Sequence, residues 1–462
     1  MSVESAPDAT ETRIGEWRTA VLRSRAVDEA DADELEGHLR DQIGELESVG
    51  LSADEAFLVA VRRLGEVDAV TAEYARVHSD RLWKQLALPT TSEPASRPVL
   101  TMLGFAALAA VLVQTGRLLA EASGDGGWFV RDISLFVLPV LAAYFVVVRR
   151  IPWRRIVPIA AVVAVLALAV NLYPFAVPAD GFEVFGGPVG AATELLVAIH
   201  LPVLLWFVVG AAYLGGDVRS SARRMDYIRF SGEWLIYYAL IALGGAVLIA
   251  LTLAVLGPIA PGAPEAVFEW VVPTGAAGAV VVAAWLVEAK KSIIENLAPV
   301  LTAIFTPLFA AMLLVAAVAY AVAGIGRGFD RDLLTVFDVL LLVVLGLVVY
   351  GISARDSART TRLMDTLRLI AVVAAIALDL LVLVSLLARI GEFGFTANRV
   401  AALGLNVLLL VNLAVTAWLT GRILTGRAQP SRLELWQTGY LPVFAGWVAL
   451  VVLVLPPVFA FG

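Results

Sequence analysis

Leu369-Ile370-Ala371-Val372-Val373-Ala374-Ala375-Ile376-Ala377-Leu378-Asp379-Leu380-Leu381-Val382-Leu383-Val384-Ser385-Leu386-Leu387-Ala388 is a nearly continuous apolar run, closed by Arg368 on one side and Arg389 on the other. As a helix it would be about 30 Å long, the thickness of a bilayer's hydrocarbon core. Similar runs begin near Val99, Phe129, Ile156, Leu195, Trp234, Val267, Val300, Leu333, Val400 and Leu441. The composition agrees, with 60% hydrophobic residues and a mean hydropathy of +0.85. Backbone polar groups find no partners in lipid, so such runs must close their hydrogen bonds as helices. The expected fold class is all-α, with a small cytoplasmic helical domain followed by a polytopic transmembrane bundle of about 11 helices.

The one charge inside the quoted run is its most informative residue. A carboxylate at mid-bilayer costs roughly 2.5 kcal/mol or more. Asp379 must therefore face the bundle interior or a wet cavity, carry a proton, or find a partner. It reads as a proton or cation site, or as an interhelical hydrogen bond that fixes packing. Asn412 is expected at similar depth in the next run, with Asn406 nearer its outer end and on another helix face. Asp338 lies toward the outer end of its own run. His200 is a lone intramembrane imidazole, readable as a packing residue or as a pH sensor. Glu194, six residues before it, falls on another face, and Asn171 closes the third run.

Residues 12–87 precede the first apolar run and read as a helical domain. The segment 1–11 is expected to be disordered, and 88–98 is a polar, Pro-rich linker. Trp17, Val21 and Leu22 give one helix its apolar stripe, and Leu35, Leu39, Ile43 and Leu46 give the next. Gly50 suits a helix C-terminus, and Ser52 with Glu55 forms a capping box for a third helix that Gly65 stops. A fourth helix is expected from Val67 toward Leu86. The stretches Glu34-Leu35-Glu36-Gly37-His38-Leu39-Arg40-Asp41, Gly50-Leu51-Ser52-x-x-Glu55-Ala56-Phe57 and Arg62-Arg63-Leu64-Gly65 resemble the bacterial permease-prefix, or HAAS-type, domain. That resemblance implies a cytoplasmic regulatory or interaction module, fused to permeases or other multi-span segments. The solvated helix face remains the alternative reading of Glu34, Glu36, Arg40 and Asp41.

Alternate loops differ in basic residues, 18 on one side of the membrane against six on the other. The positive-inside rule makes the richer side cytoplasmic, with the N-terminus inside and the C-terminus outside. The first 30 residues hold no apolar signal core, in keeping with that placement. The transmembrane domain is expected over 99–462. Within it Arg223-x-Met225-Asp226-x-Ile228-Arg229 recurs as Arg362-x-Met364-Asp365-x-Leu367-Arg368. Ala284-Trp285-Leu286 recurs as Ala417-Trp418-Leu419, and Phe305-x-Pro307-Leu308-Phe309-Ala310 as Tyr440-x-Pro442-Val443-Phe444-Ala445. These collinear anchors suggest two parallel four-span repeats, 193–325 and 332–462, an arrangement seen in transporters. Arg223, Asp226 and Arg229, with Arg362, Asp365 and Arg368, are candidate docking residues for the acidic domain or for anionic lipid headgroups. They also read as interfacial anchors.

A second resemblance rests on Arg389-Ile390-Gly391-Glu392-Phe393-Gly394-Phe395-Thr396-Ala397-Asn398-Arg399, together with Pro299-Val300-Leu301-Thr302-Ala303-Ile304-Phe305-Thr306-Pro307-Leu308. Both look like segments of a bacterial integral-membrane family of unknown function, so no activity follows from the likeness. Phe393 and Phe395 stand where that family is expected to carry Tyr and Leu. Physically, Thr396 suits a helix N-cap and Gly394 a tight turn, and Glu392 could pair with Arg399.

Several classes are set aside. The chain has no cysteine, which removes disulfides and thiol chemistry, and only three histidines, far apart, so no metal site is expected. Residues 1–84 hold 19 acidic and 10 basic residues, an acidic balance that argues against nucleic acid. No phosphate-binding Gly loop, HExxH or GxSxG is present, so neither an enzyme nor a cofactor is expected. The expected partners are membrane lipids and a cytoplasmic protein that binds through 12–87. The leading functional expectation is a bacterial inner-membrane protein whose head signals and whose bundle senses an envelope, lipid or small-molecule state. The alternatives are a transporter with a site near Asp379 and Asn412, and an enzyme acting on a lipid-linked substrate.

Overall fold

A computed structural model describes residues 13–15, 17–18, 29–48, 51–64, 96–124, 126–176, 182–184, 187–256, 262–289, 297–323, 331–353 and 362–462. The expected disordered segment 1–11, the fourth head helix and most of the linker lie outside these. The chain divides into two compact units, Met1–Ser96 and Arg97–Gly462.

The first unit contains α1 (Glu29–Ser48) and α2 (Ala53–Leu64). Leu39, Ile43 and Leu46 of α1 bury against Ala56 and Ala60 of α2, with Ile14 and Trp17 completing a small core. The capping box forms as the sequence predicts. The Ser52 backbone N–H and hydroxyl both donate to Glu55 Oε2, at 3.1 and 2.7 Å, and the Glu55 N–H points back to Ser52 Oγ at 3.4 Å. These bonds hold the Glu55 carboxylate below its ordinary value of 4.5, the hydroxyl contributing most.

The second unit is a helical bundle. Its elements are α3 (Ser96–Ser123), α4 (Gly127–Val148), α5 (Trp153–Leu172), α6 (Ala192–Tyr213), α7 (Ser221–Leu256), α8 (Ala263–Ala266), a π-helical turn (Val267–Val271), α9 (Val272–Ala289), α10 (Leu297–Ala323), α11 (Arg331–Ser353), α12 (Arg362–Phe393), α13 (Ala397–Leu424), α14 (Ser431–Leu453) and α15 (Leu455–Val458). Among the described residues, ten helices are long and apolar enough to cross a membrane. The eleventh expected span corresponds to α10, whose apolar stretch Ile304–Tyr320 is shorter. The exterior of the bundle stays apolar, with Leu168, Leu243, Leu251, Val315 and Val384 exposed. In water such a surface would aggregate, whereas in lipid it is ordinary. The chain is therefore a multi-pass membrane protein.

Between α5 and α6 lie two short antiparallel strands. Strand β1 (Phe182–Val184) pairs with β2 (Gly187–Val189), Phe182 opposite Val189. The π turn before α9 loosens the backbone ladder, and Gln114 of α3 fills the gap. Its amide donates to the Glu269 and Trp270 carbonyls, both at 3.0 Å.

Packing falls into two main cores. One joins α3 to α6 and α9 with Tyr227 and Phe230 of α7; the other joins α10 to α13 with Met225 of α7 and Leu433 of α14. The division falls after Ala289, whereas the repeats suggested by sequence divide between 325 and 332. Helix α14 belongs to both halves, since its Val448 and Val452 enter the first core.

Candidate functional site

Helices α11, α12 and α13 pack together and bring three polar residues of the apolar runs into one cluster. Asp379, in the fifth turn of α12, is wholly buried at 0% exposure. Neither of its carboxylate oxygens has a hydrogen-bond partner among the described residues. Asp338 of α11 lies within electrostatic reach of it. Asn406 of α13 donates from Nδ2 to Asp338 Oδ1 at 2.8 Å and to the Ala402 carbonyl at 2.9 Å. Its own Oδ1 is buried without a donor. The cluster thus holds three buried oxygens that accept hydrogen bonds and receive none. Such a donor-poor site calls for a proton or a small cation.

Asn412 lies elsewhere. It exchanges two 3.2 Å bonds with Gln437 of α14, and Gln437 also donates to Thr416 Oγ1 at 2.7 Å. Thr416 and Thr420 return their hydroxyls to carbonyls of their own helix. This buried ladder is satisfied and ties α13 to α14, so the structure brings Asn406, rather than Asn412, to the aspartate pair. His200 directs Nδ1 at the Leu196 carbonyl of its own helix, 2.8 Å away.

The two copies of the Arg-Met-Asp-Arg motif converge on one target. Arg229 of α7 donates twice to the Ser353 carbonyl, at 2.7 and 3.2 Å, while Arg368 of α12 reaches the Gly351 carbonyl at 3.4 Å. Both thereby cap the C-terminus of α11, where carbonyls lack helical partners and the dipole is negative. Arg368 also pairs with Asp365 at 3.1 Å, both buried, their separation of three residues placing them on one helix face. In the first copy Arg223 instead reaches out of α7, to Asp217 at 3.6 Å and the Leu214 carbonyl at 3.1 Å. Arg362 is exposed.

Thr396 caps α13 by accepting from the Arg399 N–H, and Gly394 takes φ +77°, a conformation that excludes most side chains. Arg399 turns to the Phe393 and Gly394 carbonyls, at 3.0 and 2.7 Å. Those bonds replace the expected pairing with Glu392.

One further polar cluster is not legible in the sequence. Arg131 of α4 binds Asp132 at 2.9 Å, Glu194 of α6 at 3.1 Å and Asn171 of α5 at 3.2 Å, and its guanidinium lies over the Phe175 ring. Arg131 and Asp132 stand as adjacent charges near the start of an apolar run. Their partners stand 40 and 63 residues away, with no local signal to connect them. This satisfied network locks three helix ends.

Comparison with protein-family models, with curated proteins and with solved structures finds no match for the chain. Among the described residues no group of three or more His, Cys, Asp or Glu could hold a metal ion.

Proposed function

We propose that this protein is a proton-responsive sensor of the bacterial inner membrane. Proton binding at the Asp338–Asp379–Asn406 cluster is the event the bundle reads, and the acidic helical head transmits it to a cytoplasmic partner. The carrying observation is the wholly buried Asp379, whose two oxygens receive no hydrogen bond among the described residues. Adding one proton converts an acceptor into a donor inside a cluster of acceptors. That change alters which helix pairs of α11, α12 and α13 are held together.

The head supports the signalling half of this reading through its resemblance to permease-prefix domains. The basic bias of alternate loops supports an N-terminus in the cytoplasm and a C-terminus outside. The natural absence of cysteine makes orientation easy to test. On this reading, Phe395→Cys reacts with an impermeant maleimide in intact cells, and Arg427→Cys reacts only after permeabilisation. The reverse pattern overturns the orientation.

The functional test is hydrogen exchange of the full chain in nanodiscs across the pH range in which the fold persists. Protection of α11 to α13, taken relative to the intrinsic exchange rate at each pH, should change with pH in the wild type and lose that response in Asp379→Asn. Protection that is independent of pH in the wild type refutes the sensor. Asp379-dependent proton uptake into proteoliposomes would replace it with a proton-coupled carrier, the alternative raised by the sequence.

A further inference from the structure

A second site lies at the Arg-rich end of α4, α6, α7 and α9, in the other half of the bundle. These helix ends enclose a cavity of about 380 Å³. Arg149, Arg223 and Arg229 line it together with Asp226, Glu233 and Tyr213. Local structure sets the first of these. Arg150 adopts φ 49°, ends α4 abruptly, and leaves Arg149 stacked over the Tyr213 ring at 4.0 Å and paired with Glu288 at 3.2 Å.

Depth follows from length. Helix α7 has 36 residues, so it is about 54 Å long and exceeds the hydrocarbon core by several turns. The residues from Trp234 to Leu256 suffice to cross. The turns bearing Arg223, Asp226, Arg229 and Glu233 then fall at headgroup level. On the next residue the chemistry inverts. Trp234, with Trp206 of α6, Val137 of α4 and Val280 of α9, lines an apolar cavity of about 600 Å³. Consecutive residues of α7, Glu233 and Trp234, therefore line a charged chamber and an apolar one built by the same four helices, the apolar one joined by Val113 of α3.

The charges choose the ligand class. Three guanidiniums suit a phosphate. Each carries five N–H donors, so the bonds Arg149 and Arg229 make to Glu288 and Ser353 leave donors for a ligand. A simple anion would also meet Asp226 and Glu233, the latter only 5% exposed. A phosphate with an ammonium beside it matches the mixed charge of this lining, and an acyl chain matches the apolar chamber. We infer that this chamber binds a phosphodiester carrying a primary ammonium, the headgroup of an aminophospholipid, with its chains against Trp206 and Trp234. The inference stands independently of the aspartate cluster.

Native mass spectrometry of the purified full chain tests it, using phosphatidylethanolamine, phosphatidylcholine and phosphatidylglycerol with identical acyl chains. Phosphatidylethanolamine should be retained about tenfold better than either competitor, the worth of one charge-assisted hydrogen bond from the ammonium. Glu233→Gln should abolish its advantage over phosphatidylglycerol, and the exposed Asp226→Asn provides a second carboxylate variant should the first fold poorly. Loss of preference in either supports the assignment. Equal retention of the three lipids, strongest retention of phosphatidylglycerol, or an unchanged preference in both variants overturns it. Soluble phosphoethanolamine separates the sources of the shared chemistry. Failure to displace the lipid assigns the site to the bilayer, and displacement assigns it to a small zwitterionic phosphate.

Discussion

Arg368 and Asp365 illustrate how much a single buried residue carries. Removing one member of a buried ion pair costs about 3–5 kcal/mol, because the remaining charge stays desolvated. Arg368→Met should lower unfolding stability by roughly 3 kcal/mol in detergent denaturation, and adding Asp365→Leu should recover most of it. A remainder of about 1 kcal/mol should persist, since the Gly351 carbonyl loses its donor in both. An Arg368→Met protein as stable as wild type would show the pair to be exposed. At this scale the sequence was partly legible. Asp379 announced itself because a charge is costly within twenty apolar residues. Asp338 and Asn406 were picked out individually, but their bond spans 68 residues and depends on how α11 meets α13. Arg131 was legible only as a charge near a span end, because the network that buries it comes from two other helices.

Helix termini were the most readable elements, since their chemistry is local. The Ser52–Glu55 box and the Thr396 cap both form where the sequence places them. Because the folded state holds the Glu55 proton affinity below the ordinary value of 4.5, its carboxylate stabilises α2 above that pH, and the contribution disappears as pH falls through the depressed value. Protection of α2 against hydrogen exchange in the full chain, taken relative to the intrinsic rate at each pH, should therefore fall on acidification, and Glu55→Gln should lose that dependence. An unchanged acid response in Glu55→Gln would place its cause elsewhere. Interhelical contacts were not readable in this way. Gly404 of α13 sits against the Trp447 indole of α14, where a Cβ would overlap the ring. Gly404→Val should cost about 1–3 kcal/mol by overpacking and expose Trp447, which would appear as a shifted fluorescence maximum. A neutral substitution with unchanged fluorescence would mean that α13 and α14 sit further apart. The convergence of Arg229 and Arg368 on the end of α11 was likewise invisible, although the motif that supplies both arginines was recognised as a repeat.

At the scale of the whole molecule, hydropathy decided the architecture before any contact was known, because lipid permits few backbone solutions. The division into two cores was not deducible. In an Ala-, Val- and Leu-rich bundle many helix pairings bury similar surface, and polar residues select among them. Three selectors do so here: the Arg131 network, the Asn412–Gln437 ladder and the Asp338–Asn406 bond. The first two are satisfied, whereas the third leaves Asp379 without a donor among the described residues, which is why the proposed function is placed there. Isotope-edited infrared spectroscopy of the full chain in nanodiscs tests this claim most directly. With labelled aspartate, the wild type at neutral pH should show the carbonyl band of a protonated, buried carboxylic acid, and the band should vanish in Asp379→Asn. A spectrum containing only carboxylate bands, or a protonated band that persists in Asp379→Asn, would contradict the account.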